Sequence, residues 1–202
     1  MRAKLILSVI AGLLLGGVAA IAIFPEARER LFPQSGPQTA GKALIGGPFT
    51  LTDHNGKRVT DQDLRGKPTI IYFGFAYCPD VCPTSLLLMQ TGVDQLGPQA
   101  ASKVNLVFIS VDPERDTPAA LKEYVAQFGT TMVGMTGTEE QVAAAAKVFR
   151  VYYQKVPGKG GAPYLMDHSS IFYLMDRNFR FVKHFTHQAK AEDIAAALKP
   201  LL

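Results

Sequence analysis

Residues 69–83 read TIIYFGFAYCPDVCP, an almost continuous apolar run followed by Cys78 and Cys82, the two cysteines of the chain. An apolar run of this length is typical of a central strand covered on both faces. Pro83 suits the first turn of a helix, where its missing N–H is not needed. The stretch therefore predicts a strand, a short loop and a helix, with both sulfurs near the helix N-terminus. Such a pair can be a dithiol redox centre, a disulfide or two ligands of a soft-metal site.

Strand and helix patterns alternate around this stretch. Upstream, two alternating segments flank Asn55 and Gly56, a dipeptide that favours the tight turn of a β-hairpin. Downstream, the patterns predict strands at 104–111, 132–135, 170–175 and 180–185, and helices at 118–129, 138–149 and 190–202. Residues 154–163, rich in glycine and proline, are interpreted as an exposed loop. This order predicts an α/β fold with a mixed central sheet, and the cysteine position indicates a thioredoxin-like fold with an N-terminal β-hairpin.

The composition is that of a single folded domain with an appendage. The chain has 202 residues, of which 48% are hydrophobic and 19% charged, enough to bury one sizeable core. We expect this domain to occupy residues 46–202. The formal net charge is +4, and no run of Lys or Arg interleaves with aromatic residues. Nucleic acid is therefore not an expected partner.

The N-terminus predicts a membrane anchor. Arg2 and Lys4 precede an uncharged stretch, residues 5–24, which as a helix would reach about 30 Å, the thickness of a bilayer core. We expect residues 1–24 to be a signal anchor and residues 25–45, rich in Pro, Gly and Gln, to be a flexible tether. A signal peptide cleaved after Ala22 is the alternative. The anchor and the cleaved signal peptide both predict a folded domain outside the cytoplasm. The early start of the apolar stretch leaves no room for a transit peptide, so it favours a bacterial inner membrane and periplasm over a mitochondrion.

The cysteine spacing argues for chemistry rather than for a structural bridge. A disulfide between residues four apart closes a very small loop and stabilises the fold less than a long-range bridge does. A thiolate at a helix N-terminus is favoured by the helix dipole, so reactivity or metal affinity is expected. A metal site also needs a further ligand. Of the four histidines, His54, His184 and His187 are interpreted as surface residues, whereas His168 precedes a core strand. Two thiolates and one imidazole suit Cu(I), and zinc can use the same set.

Several acidic residues lie near these positions. Asp80 lies between the cysteines and Asp167 precedes His168. Either can orient a ligand, as polar neighbours of metal ligands commonly do, or can be an ordinary loop residue. Asp112, Glu114 and Asp116 are better explained by a strand-to-helix turn than by acid–base catalysis.

Three ordered motifs carry a family resemblance. They are FGFAYCPDVCP at 73–83, VDPERDTP at 111–118 and YLMDHS at 164–169, the last continuing to YLMD at 173–176. Together they resemble the Sco/SenC family of copper-binding cytochrome c oxidase assembly proteins, over residues 46–202. The resemblance implies a thioredoxin-like fold and ligation of copper, as Cu(I) or Cu(II), by Cys78, Cys82 and His168. Ala76 stands where many members have threonine.

The resemblance also implies a function. It implies that this protein is a copper metallochaperone, rather than an enzyme, and that it assists assembly of the CuA centre of cytochrome c oxidase. Its expected partners are subunit II of the oxidase, a periplasmic copper donor, a thiol reductant and the membrane. The alternative is a membrane-anchored thiol–disulfide reductase that keeps the oxidase copper-site cysteines reduced. Both need Cys78 and Cys82, but only the carrier requires His168. A peroxidase is less favoured, because that chemistry requires neither the second cysteine nor the histidine.

Overall fold

A computed structural model describes residues 44–129, 131–161 and 163–202. The first strands, β1 (Thr50–Asp53) and β2 (Arg58–Thr60), pair antiparallel. Gly56 in the turn between them has φ +81°, a conformation that glycine adopts without steric cost. The predicted N-terminal β-hairpin is therefore confirmed.

The remaining elements follow the predicted alternation. After the hairpin come β3 (Thr69–Gly74), α1 (Val81–Asp94), the short α2 (Pro98–Ala101) and β4 (Asn105–Ser110). Next come α3 (Pro118–Val125), β5 (Met132–Thr136) and α4 (Glu139–Phe149). The C-terminal part contains β6 (Tyr153–Val156), β7 (Leu165–His168), β8 (Ile171–Met175), β9 (Phe181–Thr186) and α5 (Ala191–Leu198).

The predicted helix caps are present. The Thr117 hydroxyl accepts a hydrogen bond from the backbone N–H of Ala120 at 3.2 Å, ahead of Pro118 in the first turn of α3. Thr138 and Gln141 form a reciprocal capping box at the start of α4, with distances of 3.3 and 2.9 Å. These bonds satisfy backbone donors that the first turn of a helix leaves unpaired, and so they determine where both helices begin.

Seven strands form one mixed sheet in the order β2-β1-β5-β4-β3-β8-β9. Strand β3 pairs parallel with β4 and antiparallel with β8, so it lies inside the sheet. All six of its residues are buried, which explains why this segment reads as a continuous apolar run. The α/β order and the mixed sheet are those of a thioredoxin-like fold. The carboxyl end of β3 leads directly into the cysteine loop.

The interpretation of residues 154–163 as a loop is wrong in its first part. Residues Tyr153–Val156 form β6, which pairs antiparallel with β7 in a separate two-stranded sheet, with Tyr153 opposite His168. Three of the four β6 residues are exposed. A strand without a buried face has no alternation of apolar and polar residues, so hydrophobic periodicity did not reveal it.

The predicted anchor at residues 1–24 and most of the tether at 25–45 lie outside the described residues. Among the helices that the structure describes, none combines the length and hydropathy needed to cross a bilayer. The proposed domain boundaries stay predictions.

Candidate metal centre

The two cysteines lie where the carboxyl end of β3 turns into α1. Cys82 is the second residue of α1 and is fully buried, whereas Cys78 lies in the preceding loop and is partly exposed. Both are free thiols. The backbone N–H of Cys82 points at Cys78 Sγ from 3.4 Å. The Cys78 sulfur is therefore close to the unpaired N–H groups of a helix N-terminus, which stabilise a thiolate.

His168 completes a cluster with the cysteines. It is the last residue of β7, and its Nε2 atom lies 3.3 Å from Cys82 Sγ. The two sulfurs and one ring nitrogen all lie within 4.8 Å of one another. The imidazole ring meets the rings of Tyr72 and Phe75 edge to face, with centroid distances of 6.0 and 5.9 Å. The structure thus brings together the three residues that the sequence analysis singled out.

The neighbours of His168 favour one tautomer. Its Nδ1 atom lies 3.3 Å from the carbonyl oxygen of Ser169, which can only accept a hydrogen bond. A proton on Nδ1 satisfies this contact and leaves the lone pair of Nε2 directed at the sulfurs. A histidine that ligates a metal uses this arrangement, in which the distal nitrogen donates to a carbonyl.

The pKa values of the two cysteine thiols are shifted in opposite directions. A hydrogen bond from the Cys82 thiol lowers the pKa of Cys78 to about 4, an effect that partial burial opposes. The same hydrogen bond, together with burial, raises the pKa of Cys82. In the reduced protein at neutral pH, Cys78 is therefore a thiolate and Cys82 holds the shared proton. The site offers one ready anionic ligand and one that must release a proton on binding a metal.

Gly74 determines how closely Cys82 can approach β3. An ideal Cβ at this position would lie 2.8 Å from Cys82 Sγ and 2.9 Å from the Phe108 ring, closer than real Cβ contacts. Only glycine leaves room for the sulfur above the strand. Gly74 was not recognised from the sequence, although a glycine inside an otherwise apolar strand is a signal of close approach by another group.

Arg115 connects the cysteine loop to the hairpin that carries His168. Its guanidinium carbon lies 4.8 Å from the Tyr77 ring centroid and 3.7 Å from that of Tyr164. It also donates to the Tyr164 carbonyl oxygen at 2.9 Å and to the buried carboxylate of Asp112 at 2.5 Å. Tyr77 adjoins Cys78, and Tyr164 precedes β7. Tyr77 and Tyr164 are both distant from Arg115 along the chain, so these contacts depend on the tertiary structure.

Asp116 supports the cysteine loop from below. Its side chain is buried and accepts hydrogen bonds from the backbone N–H of Ala76 at 2.9 Å and from the Ser110 hydroxyl at 2.6 Å. Burial raises the pKa of this carboxyl, although both hydrogen bonds oppose the shift. The acidic residues of the turn thus have structural partners, as expected. Asp116 additionally fixes the backbone two residues before Cys78.

Two aspartates and three histidines named in the sequence analysis lie outside this cluster. Asp80 and Asp167 are exposed and line a pocket of about 250 Å³ together with Cys78 and His168. Two carboxylates at the pocket favour the approach of a cation. His184 and His187 are exposed, as expected. His54 is more than a solvated turn residue, because its Nδ1 atom accepts a hydrogen bond from the N–H of Gly134 at 3.0 Å.

The donor set fits a soft metal ion. Metal bonds of about 2.0–2.3 Å to sulfur and nitrogen place three ligand atoms around one ion at separations of about 4 Å, consistent with the 4.8 Å limit observed here. Thiolates select Cu(I) or zinc over hard cations such as Mg²⁺. The fold and the cluster together define a thioredoxin-like protein with a candidate soft-metal centre at its dithiol position.

Comparisons with known proteins identify the family. A family model described as SCO1/SenC matches residues 37–202, and the chain belongs to this family. The chain is 38% identical over 204 residues to a SCO2-like protein of Rickettsia felis, with 98% of each chain covered. It is 46% identical over 152 residues to the mitochondrial protein SCO1 homolog 1 of Arabidopsis thaliana, covering 75% of this chain. That match spans 45% of the plant protein, somewhat less than half its length.

Solved structures agree with this assignment. The structure of Bradyrhizobium japonicum ScoI with copper bound is 51% identical to this chain and superimposes with a TM-score of 0.72. The match covers 78% of this chain and 99% of the solved one. A relative with the same fold and half of its residues identical has therefore been observed with copper.

Proposed function

We propose that this protein is a copper metallochaperone that holds its cargo through Cys78, Cys82 and His168. The observation that carries the proposal is the cluster itself, in which two sulfurs and one imidazole nitrogen lie within 4.8 Å of one another. Soft ligands in a small number suit Cu(I). The copper-bound Bradyrhizobium japonicum relative supports this choice of metal over zinc.

The electrostatics of the site suit a carrier that must both bind and release an ion. Cys78 is partly exposed and already anionic, so it can contact an incoming ion first. Cys82 and His168 lie deeper and complete the ligand set. Because Cys82 must give up its proton, loading should release about one proton per ion at neutral pH. A disulfide between the cysteines would remove both thiolates, so loading would require a thiol reductant.

The recipient and the location are also part of the proposal. We infer that the domain assists assembly of the CuA centre of cytochrome c oxidase by delivering copper to subunit II, as the family resemblance implies. A periplasmic copper donor would supply the ion. Residues 1–24 would anchor the chain in a bacterial inner membrane, and residues 25–45 would hold the domain in the periplasm. The length and hydropathy of residues 5–24 support this topology.

One observation favours a second function. A partly exposed cysteine whose pKa is lowered to about 4, with a second cysteine four residues on, is a suitable nucleophile for thiol–disulfide exchange. In that reaction the Cys78 thiolate would attack a partner disulfide and release one partner thiolate. Cys82 would then displace the second, leaving a Cys78–Cys82 disulfide and a reduced partner. This chemistry does not use His168.

His168→Ala separates the two functions. The reduced full-length chain is titrated with Cu(I) and desalted, and its copper content and affinity are measured beside those of His184→Ala, a matched surface histidine on β9. The carrier proposal predicts about one retained ion in the wild type and in His184→Ala, and much weaker retention in His168→Ala. It further predicts that His168→Ala fails to support oxidase assembly in cells.

Two results would contradict the carrier. If the wild type retains no copper, the proposed cargo is wrong. If His168→Ala retains copper and supports full oxidase assembly, the imidazole has no role in loading and the reductase is favoured. A Cys78→Ser variant, inactive under both hypotheses, checks that the assembly assay depends on this protein.

A further inference from the structure

The central strand carries a buried tyrosine hydroxyl. Tyr72 lies on β3 and has no solvent exposure. Within the described part of the chain its hydroxyl makes no hydrogen bond. A buried polar group left unpaired costs about 1–3 kcal/mol, and such groups are rare enough in folded proteins to require an explanation. A partner that forms only in another state of the protein would provide one.

The Tyr72 side chain lies against the candidate metal centre. Its ring centroid is 6.0 Å from that of His168, with the ring planes at 84°. Tyr72 and Gly74 share a face of β3, since they are two residues apart. The position of an ideal Cβ on Gly74 is 2.8 Å from Cys82 Sγ and 3.1 Å from Tyr72 Cε1, the ring carbon next to the one bearing the hydroxyl. The sulfur and the hydroxyl side of the ring therefore border the same small volume.

The phenol is a hydrogen-bond donor at neutral pH. A phenol, whose ordinary pKa is about 10, keeps its proton at neutral pH. The hydroxyls of Ser85 and Ser170 and the sulfur of Cys82 approach this hydroxyl, but none of them meets the geometry of a hydrogen bond with it. A metal-bound cysteine is a thiolate, which is a much stronger acceptor than the thiol it replaces. Metal loading would thus create an acceptor beside a donor that has none.

We propose that Tyr72 donates a hydrogen bond to Cys82 Sγ in the copper-loaded protein and so favours Cu(I) over Cu(II). This inference rests on the proposed copper function. Sulfur bound to Cu(I) keeps more negative charge than sulfur bound to Cu(II), because a thiolate gives more electron density to the more oxidised ion. A hydrogen bond to the sulfur therefore stabilises the Cu(I) form more. Tyr72 is a positioning residue in this role, since it acts through Cys82 and does not touch the ion.

Tyr72→Phe tests the inference with little disturbance, because it removes only the unpartnered hydroxyl. Tyr124→Phe is the matched control: its hydroxyl is also buried and has no partner among the residues that the structure describes, but its ring packs on Phe108 and Phe128 at 5.4 and 5.2 Å. The full-length variants are loaded with Cu(I) or Cu(II). The measurements are copper content, the energy of the thiolate-to-Cu(II) charge-transfer bands, the ratio of Cu(I) to Cu(II) affinity, and thermal stability with and without copper.

Tyr72→Phe should still bind about one copper ion. Its charge-transfer bands should move to lower energy, and its preference for Cu(I) over Cu(II) should fall about tenfold, equivalent to a potential about 59 mV lower for one electron. Copper-free Tyr72→Phe should be at least as stable as the wild type, whereas the stabilisation on copper binding should be smaller. Tyr124→Phe should match the wild type in band energy and in metal preference.

The results separate this inference from the proposed function. If wild type and Tyr72→Phe both bind copper with the same band energies and the same metal preference, the hydrogen bond does not exist and the carrier proposal stands. If copper-free Tyr72→Phe is less stable than the wild type, the hydroxyl has a partner without copper and the inference is overturned. If the wild type binds no copper, both are wrong.

Discussion

Gly74→Ala should damage the metal centre through one added methyl group. The new Cβ would lie 2.8 Å from Cys82 Sγ and 2.9 Å from a ring carbon of Phe108, and both neighbours are fully buried. Ordinary contact begins at 3.4 Å, so the sulfur would have to move by roughly 0.6 Å. The phenyl ring, which is held in a close-packed core, would have to give way by a similar distance. Alanine can adopt the backbone conformation of a strand, so the effect would come only from the steric overlap of the added methyl group.

The expected magnitudes follow from these displacements. Overpacking of a well-filled core by a methyl group costs about 1–3 kcal/mol in the free energy of unfolding. Ligand distances in metal sites agree with their usual values to within about 0.2 Å, so a shift of roughly 0.6 Å in one of three ligands should lower copper affinity at least about tenfold. Cys78 lies outside this contact and should keep its reactivity. The variant should therefore lose affinity while remaining folded.

The assay measures urea unfolding of the copper-free protein and Cu(I) affinity by competition with a chromophoric chelator. Gly47→Ala is the matched control, since its added Cβ would be at an ordinary 3.4 Å from Val148. The control should match the wild type in both measurements. Gly74→Ala with wild-type stability and wild-type affinity would refute the claim that Cys82 requires glycine beneath it. A loss of stability with unchanged affinity would mean that Phe108 moves and the sulfur does not.

Four further predictions concern three residues around the cluster. Arg115→Ala should lower copper affinity about tenfold in chelator competition, because it frees Tyr164 and the hairpin carrying the histidine; unchanged affinity would contradict this link. Asp116→Ala should lower the free energy of unfolding, measured with urea, by about 1–3 kcal/mol. Asp116→Asn keeps an acceptor for the Ala76 N–H and the Ser110 hydroxyl, so its free energy of unfolding should not fall. Because burial raises the Asp116 pKa above 3.8, the stability that comes from its protonation is fully present below pH 3.8, and the wild type should lose it relative to Asp116→Asn as pH rises through the folded-state pKa; a wild type and an Asn variant with the same pH dependence would count against this. With the pKa of Cys78 at about 4, alkylation of the reduced copper-free protein by iodoacetamide should have a flat rate from about pH 6 to 8; a rise of about tenfold per pH unit would indicate an ordinary thiol.

Local signals made most of the fold predictable. The apolar run of β3, the turn dipeptide at Asn55 and Gly56 and the caps at Thr117 and Thr138 act within a few residues, and the structure has each element where these signals indicate. Strand β6 was missed because it is held by backbone hydrogen bonds to β7 and buries almost no side chain. Its sequence therefore contains no periodic pattern that reports the pairing.

Residue types and their spacing along the chain were enough to identify which residues are suited to the chemistry. Cys78 and Cys82 lie four residues apart after a central strand, and this local arrangement follows from the strand-to-helix junction alone. The choice of His168 among four histidines rested on its place before a core strand and on the family motif. These statements concern residue type and order along the chain, which need no knowledge of distances.

How these groups meet depends on contacts between segments that are distant along the chain. His168 is 86 positions beyond Cys82 in sequence, yet Nε2 and Sγ lie 3.3 Å apart because β7 leads into β8, which pairs with β3. The space above Gly74, the unpartnered hydroxyl of Tyr72 and the bridge made by Arg115 likewise depend on packing between distant segments. Such contacts are set by the three-dimensional fit of the whole core, and no short stretch of sequence encodes that fit.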